Sequence, residues 1–260
     1  MVAGYLVRDM EHITVARSSR RTCDVPVNIF GQAISRAHKV IDQFRTFDVD
    51  VFAILGMRNL SAFIGELYGA AVIKEAKGLF LKNPHQDGYP DLLLMDDRGQ
   101  RLWKELQGRL REKTPFSPFA TGGIEIKATC GSVPTPDQCK RLGIVKPDLG
   151  EERIGVMRGY DWKAHHRETN NLIGLLWDFI GGSPRIVAVF YCSALTDQDW
   201  GKIVQPREGG GRTTSVSIMS RHGVQRMYQG WLYVIRDTPY IEFIDQYNDM
   251  SLLTKAGRTV

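Results

Sequence analysis

Nowhere does the chain approach the roughly 18 consecutive apolar residues that a membrane-spanning helix requires. Its first residues, MVAGYLVRDMEH, lack a basic start followed by a long apolar run, so no signal peptide is expected. Cysteine is scarce. Of 260 residues four are cysteine (Cys23, Cys130, Cys139 and Cys192), and no two form a Cys-x-x-Cys pair. That spacing excludes a zinc ribbon, and scattered thiols in a chain this long do not suit a disulfide framework. The expectation is a soluble cytoplasmic protein with reduced thiols. The sequence also has no Gly-x4-Gly-Lys-Ser/Thr loop, no Gly-x-Gly-x-x-Gly after a strand and no Gly-x-Ser-x-Gly elbow. Nucleotide-driven work and a serine nucleophile on an elbow are therefore set aside. There is no internal repeat and no low-complexity linker.

What the chain does have is material for a core. Hydrophobic residues make up 43% and charged residues 24%, which fits one globular domain spanning residues 1–260. The net charge of +5 leans mildly toward an anionic partner such as nucleic acid.

Residues 1–28 read as a polar segment with a basic cluster at Arg17, Arg20 and Arg21. Helical spacing of apolar residues predicts a helix over 29–45, with Asn28 available as its cap, and a second over 60–77, capped by Asn59. Short apolar runs at 78–82 and 91–96, separated by NPHQDGYP, predict paired strands. A helix is expected over 101–113, a strand over 123–129, a loop over 132–160 and a helix over 162–180 that ends at Gly181-Gly182. The apolar run 185–192 suits a central strand, and strand-like runs follow at 213–219, 231–236 and 240–244. The sum is an α/β fold with a mixed central β-sheet flanked by helices and a β-rich C-terminal elaboration.

One stretch carries the chemistry. In GGIEIKATCG, Ile124, Ile126 and Ala128 alternate with Glu125 and Lys127, so an acid and a base stand on one face of a strand. Upstream, Tyr89-Pro90-Asp91 heads another apolar strand. Two converging carboxylates are a site for Mg²⁺, and the carbonyl of Ile126 adds a third hard oxygen. Lys127 on the same side can position or deprotonate a water and balance the negative charge. The bland reading is an exposed ion pair on an edge strand, with Asp91 as a turn residue.

Pro90-Asp91 and Glu125-Ile126-Lys127, on strands preceded by a helix, resemble the PD-(D/E)xK nuclease superfamily, and in size and layout a type II restriction endonuclease. The resemblance covers residues 60–130 in detail, with 162–192 fitting the core that would follow. It implies a restriction-endonuclease-like core over about 29–195 and a recognition elaboration over about 196–260. It implies a Mg²⁺-dependent homodimer cutting a palindromic double-stranded DNA site to 5′-phosphate and 3′-hydroxyl ends. Many members carry a further acid on the helix before the first core strand. Glu66, among the small neighbours Ala62, Gly69 and Ala70, fits that place better than Glu75. The helix expected after the lysine strand reads HHRETNN rather than Gln-x-x-x-Tyr, a departure from the exonuclease-like branches. A repair or junction-resolving nuclease of the same superfamily and a non-catalytic DNA-binding module stand as alternatives.

Candidate DNA contacts are Lys163 and Arg167, and in REGGGRTTSVSIMSRHGVQR the residues Arg207, Arg212, Arg221, His222 and Arg226. His165-His166 is a poor zinc pair, because adjacent helical side chains diverge by about 100°.

Overall fold

The computed structural model describes residues 4–17, 21–160, 162–164, 170–205, 216–247 and 256–259. The chain opens with three strands, β1 (Tyr5–Arg8), β2 (His12–Ala16) and β3 (Thr22–Pro26), and two long helices, α1 (Asn28–Phe44) and α2 (Val51–Glu75). A meander follows: β4 (Phe80–Lys82), β5 (Leu92–Leu94), α3 (Asp97–Leu106) and β6 (Gly123–Thr129). A long crossover carries α4 (Pro136–Leu142) and β7 (Lys163–Ala164), then β8 (Leu172–Ile180) and β9 (Ser183–Cys192) form a hairpin. The remainder is β10 (Trp200–Val204), β11 (Val216–Met219), α5 (Arg221–Gln229), β12 (Trp231–Ile235), α6 (Thr238–Asp245) and β13 (Ala256–Thr259).

Eight strands make one sheet in the order β13-β1-β12-β9-β8-β6-β5-β4. It is mixed: β6 and β8 run parallel and every other neighbouring pair is antiparallel. A parallel pair needs a long crossover, which residues 130–171 supply. β2 pairs with β3, and β10, β11 and β7 form a third small sheet.

Both faces of the large sheet are covered. Helices α1 and α2 bring Phe30, Ile34, Ile41, Tyr68 and Val72 onto Ile124, Ile126, Ile173, Leu175 and Trp177. The opposite face buries Tyr160, Trp162, Phe190, Tyr228, Trp231 and Tyr240. A smaller cluster of Leu93, Met95, Leu106, Phe116 and Phe119 lies under α3. Asp178, fully buried on β8, accepts hydrogen bonds from the backbone N–H groups of Arg153, Ile154 and Phe179 and from the Tyr240 hydroxyl. It pins the crossover and α6 to the sheet.

The fold corrects several expectations. Residues 172–180 form a strand, not the end of a helix over 162–180. LIGLLWDFI is apolar at nearly every position, so it satisfies a helical template as readily as a strand buried on both faces. Gly181-Gly182 does not end a helix; with φ of 57° and 75° it turns the β8–β9 hairpin. Residues 240–244 are helical in α6, which has Pro239 in its first turn. The expected loop 132–160 contains α4, closed by a Thr135–Gln138 capping box. Helix α1 begins at Asn28 without a side-chain cap. Helix α2 begins before Asn59 and is broken by a kink at Gly56 (φ 63°, ψ 167°), its short first arm capped by Asp50 and its long second arm covering most of the expected helix. The third helix runs over Asp97–Leu106, starting and ending earlier than expected. The N-terminal segment is structured, because β1 enters the main sheet and β2–β3 packs as a hairpin. The C-terminal third mixes helices with strands, and β12 lies inside the main sheet between β1 and β9. Among the described residues no helix is long and apolar enough to cross a membrane.

One buried group makes the fold sensitive to acid. His38 on α1 is 6% exposed, and its Nε2 accepts the N–H of Ile186 at 2.9 Å. Burial, with the nearby Arg185 guanidinium, lowers its pKa to about 4. The unfolded chain therefore takes up this proton at a higher pH than the native one. The stability this neutral imidazole contributes is complete above pH 6.5 and is lost as pH falls toward 4. The loss amounts to up to about 3 kcal/mol. Because other groups titrate in the same range, the contribution is read as a difference: wild type minus His38→Gln in denaturant melts from pH 7 down to 4 is expected to shrink as pH falls.

Candidate functional site

The site exists because strand β5 is short. It pairs with β6 at Leu92↔Ile124 and Leu93↔Gly123, so from residue 125 onward that edge of β6 has no strand beside it among the described residues. The other edge stays paired to β8 from Glu125 to Thr129. Asp91, one step before β5, turns its carboxylate into the open edge. Its Oδ2 accepts the Ile126 N–H at 2.8 Å. In an extended strand the N–H and C=O of one residue point to the same edge, so the Ile126 carbonyl faces this gap as well.

Glycine makes the approach possible. Gly123 has φ of 158°, and a Cβ there would stand 1.9 Å from the Leu92 carbonyl oxygen. Only a residue without a side chain lets β5 lie this close at the point where Asp91 meets Glu125.

Glu125, Lys127 and Asp91 converge. Lys127 Nζ lies 2.5 Å from Glu125 Oε1 and 3.6 Å from Asp91 Oδ2. The Asp91 N–H donates to Glu125 Oε2 at 3.1 Å. The Glu125 side chain is 5% exposed and that of Lys127 23%. Burial pushes the Glu125 carboxyl up to about 7, aided by the charge of Asp91 and opposed by Lys127. For Lys127 burial pulls downward, but the two carboxylates outweigh it and hold the ammonium above its ordinary range. The cluster holds two acids against one base in a poorly solvated place, and Glu125 carries the imbalance.

The cluster opens on a groove of about 340 Å³ between α2 and the β4–β6 edge. Small residues of α2, among them Ala62, Gly65 and Gly69, form one wall. A Cβ at Gly69 would sit 3.2 Å from Ile126 Cδ1, so the helix packs tightly on the strand. Asp91, Ile126 and Lys127 form the other wall.

The remaining candidates divide. Glu66 lines the groove, yet its Oε2 lies 2.5 Å from Lys82 Nζ. Glu75, the competing acid, pairs with Arg36 and does not line it. Lys163 on β7 lines the groove too. Arg221, His222 and Arg226 do not; they lie on α5. Arg226 and His222 are bonded to the buried Asp199, at 2.7 Å and 2.9 Å, which gives both a structural task. Arg17 of the basic cluster pairs with Asp96, the residue that caps α3, which ties it to the fold. Arg21 is exposed. Arg20, His165, His166, Arg167, Arg207 and Arg212 lie outside the described residues. Reasoning from sequence missed Lys82, Asn83, His85 and Gln86, which line the groove at the end of β4. Lys82 ends the strand-like GLFLK, and the other three lie in the turn-rich NPHQDGYP linker, which carried no signal beyond the turn itself.

A Mg²⁺ ion fits these donors in kind. Asp91, Glu125 and the Ile126 carbonyl supply hard oxygens, and the ammonium of Lys127 already holds the place of a positive charge between the two acids. Among the described residues no three His, Cys, Asp or Glu side chains form a metal cage, so water would complete the shell. Comparison of the chain with protein-family models, with curated proteins and with solved structures gives no match.

Proposed function

We propose that this chain is a Mg²⁺-dependent, sequence-specific endonuclease of double-stranded DNA, of the type II restriction endonuclease kind within the PD-(D/E)xK superfamily. The observation that carries the reading is the convergence of Asp91, Glu125 and Lys127 on an edge of a central strand that no described strand pairs with beyond Ile124. The surrounding order supports it: a helix, a three-stranded meander, then a crossover to a strand parallel with β6. A homodimer on a palindromic site is the natural form, because two-fold symmetry in the site mirrors that of the protein.

The bound metal would offset charge on the scissile phosphate and acidify a water. Asp91, Glu125 and the Ile126 carbonyl would hold it. The water oxygen bonds to phosphorus while the bond to the 3′-oxygen breaks. The 3′-oxygen takes up a proton, leaving 5′-phosphate and 3′-hydroxyl ends. Lys127, with its pKa held high, is protonated at neutral pH. Its place beside both carboxylates suits it to orient the water and to balance charge.

Incubation with phage DNA and Mg²⁺, followed by sequencing of the fragment ends, tests this and yields the site. Discrete fragments are expected, and Lys127→Ala should lose them. Cleavage restricted to branched or damaged DNA would favour a structure-specific nuclease instead. Mg²⁺-independent binding with no cleavage would favour a non-catalytic module.

A further inference from the structure

Two lysines line the groove from neighbouring strands of its sheet wall, Lys82 on β4 and Lys127 on β6, and they are held differently. Lys127 belongs to the cluster of two carboxylates, and Glu125 beside it is almost fully buried. Lys82, the last residue of edge strand β4, has among the described residues one ion-pair partner, Glu66 of α2, at 2.5 Å. Both partners are open to water, at 60% and 54% exposure. An ion pair so exposed contributes little net stability and exchanges readily for another anion.

The position of Lys82 gives the exchange a purpose. Its strand neighbour Asn83 donates its N–H to the carbonyl of Asp91 at 2.9 Å, so Lys82 stands one residue away from the acid cluster on the adjacent strand. Phe80, two residues earlier, packs in the core beneath α1 and α2. Alternation along β4 therefore aims Lys82 toward that same helical wall, where Glu66 meets it. An anionic backbone entering the groove would meet both Lys127 and Lys82, with a carboxylate already occupying the second lysine.

We propose that Lys82 is a phosphate-binding residue of this groove, held in reserve by Glu66 until an incoming nucleic-acid phosphate takes its place. The inference rests on the nuclease reading above and adds a positioning residue to it. Glu66 thereby has two states: partner of Lys82 in the free protein, and a carboxylate released toward the acid cluster once substrate is bound. Substrate binding then exposes the third acid only when a phosphate lies in the groove.

The test measures binding of a fluorescein-labelled 30-base-pair duplex of arbitrary sequence in EDTA, where nothing is cut, across a salt series. Each lysine–phosphate contact contributes about 0.9 to the slope of log K against log salt. Glu66→Gln is expected to tighten metal-free binding roughly fivefold and to steepen that slope by nearly one. In the double variant Glu66→Gln/Lys82→Gln both gains should vanish. If the gain persists in the double variant, Glu66 acts only as a repelling charge and the proposal falls. It falls equally if Glu66→Gln binds as the wild type does, while the nuclease reading stands. If the wild type neither binds nor cuts DNA, that reading fails and takes the proposal with it. Circular dichroism melts of each variant confirm that it is folded.

Discussion

Glu125→Gln is expected to abolish DNA cleavage, by a factor of about 10³ or more, while leaving the protein as stable as the wild type or more so at pH 8. The loss of activity follows from removing one of two carboxylates that would hold the metal. The gain in stability follows from linkage. The Glu125 carboxyl titrates at about 7 in the folded protein because burial disfavours its charge, against an ordinary value of 4.5. Between those values this group binds more protons in the native state than in the unfolded chain, so its contribution to wild-type stability falls as pH rises from 4.5 through 7. The full cost above pH 7 is up to about 3 kcal/mol, and an uncharged amide avoids it. The hydrogen bond from the Asp91 N–H can still be accepted by the amide oxygen.

Parallel denaturant melts of wild type and Glu125→Gln at pH 4.5, 6 and 8 separate the two effects. The difference in favour of the variant should grow from near zero to its maximum over this range. A merely structural ion pair predicts the reverse: Glu125→Gln would be less stable at pH 8 and leave any nuclease activity untouched. Proteins give up stability at groups that must later meet a ligand, and the sign of this difference shows whether Glu125 is such a group.

The part of this site that could be read from the sequence is the part set by local pattern. Alternation in Ile124-Glu125-Ile126-Lys127 fixes which side chains share a face, and the strand context of Asp91 follows from the turn-rich residues before it. The sheet around it was less legible. Residues 172–180 have no polar side to reveal a period of two, so only their pairing with β6 and β9 makes them a strand. The arginines of α5 look like an exposed basic element in sequence. Asp199, more than 20 residues earlier, is the buried acid that binds Arg226 and His222, and no local pattern announces it. Lys82 was passed over for a related reason. It ends a short strand in an ordinary way, and its meaning comes from Glu66, on the helix before it, and from Asp91 on the neighbouring strand. Long-range pairings of this kind decide function here, while short-range patterns decide only where the candidates lie.

Gly123→Ala is the substitution expected to damage the fold and the site together. The backbone at this position has φ of 158°, and an added Cβ would meet the Leu92 oxygen at 1.9 Å, with Pro90 Cγ at 2.7 Å. Neither neighbour is the free end of a flexible side chain, so strands β5 and β6 must separate. Their pairing consists of two registered residue pairs, and it is what sets Asp91 opposite Glu125. Strain and lost pairing together are worth on the order of 3 kcal/mol, a fall of roughly 6–10 °C in Tm for a chain of this size. The chemical consequence should exceed the thermal one. A displacement of about 1 Å at Asp91 opens its bond to the Ile126 N–H and can lower cleavage about 10²-fold even in molecules that remain folded. Assay at 15 °C, well below the lowered Tm, distinguishes the two. Activity recovering to the wild-type rate on cooling would mean that Gly123 serves stability alone. A persistent deficit in a folded variant would mean that the close approach of β5 to β6, which only glycine permits here, is what brings the acids of the site together.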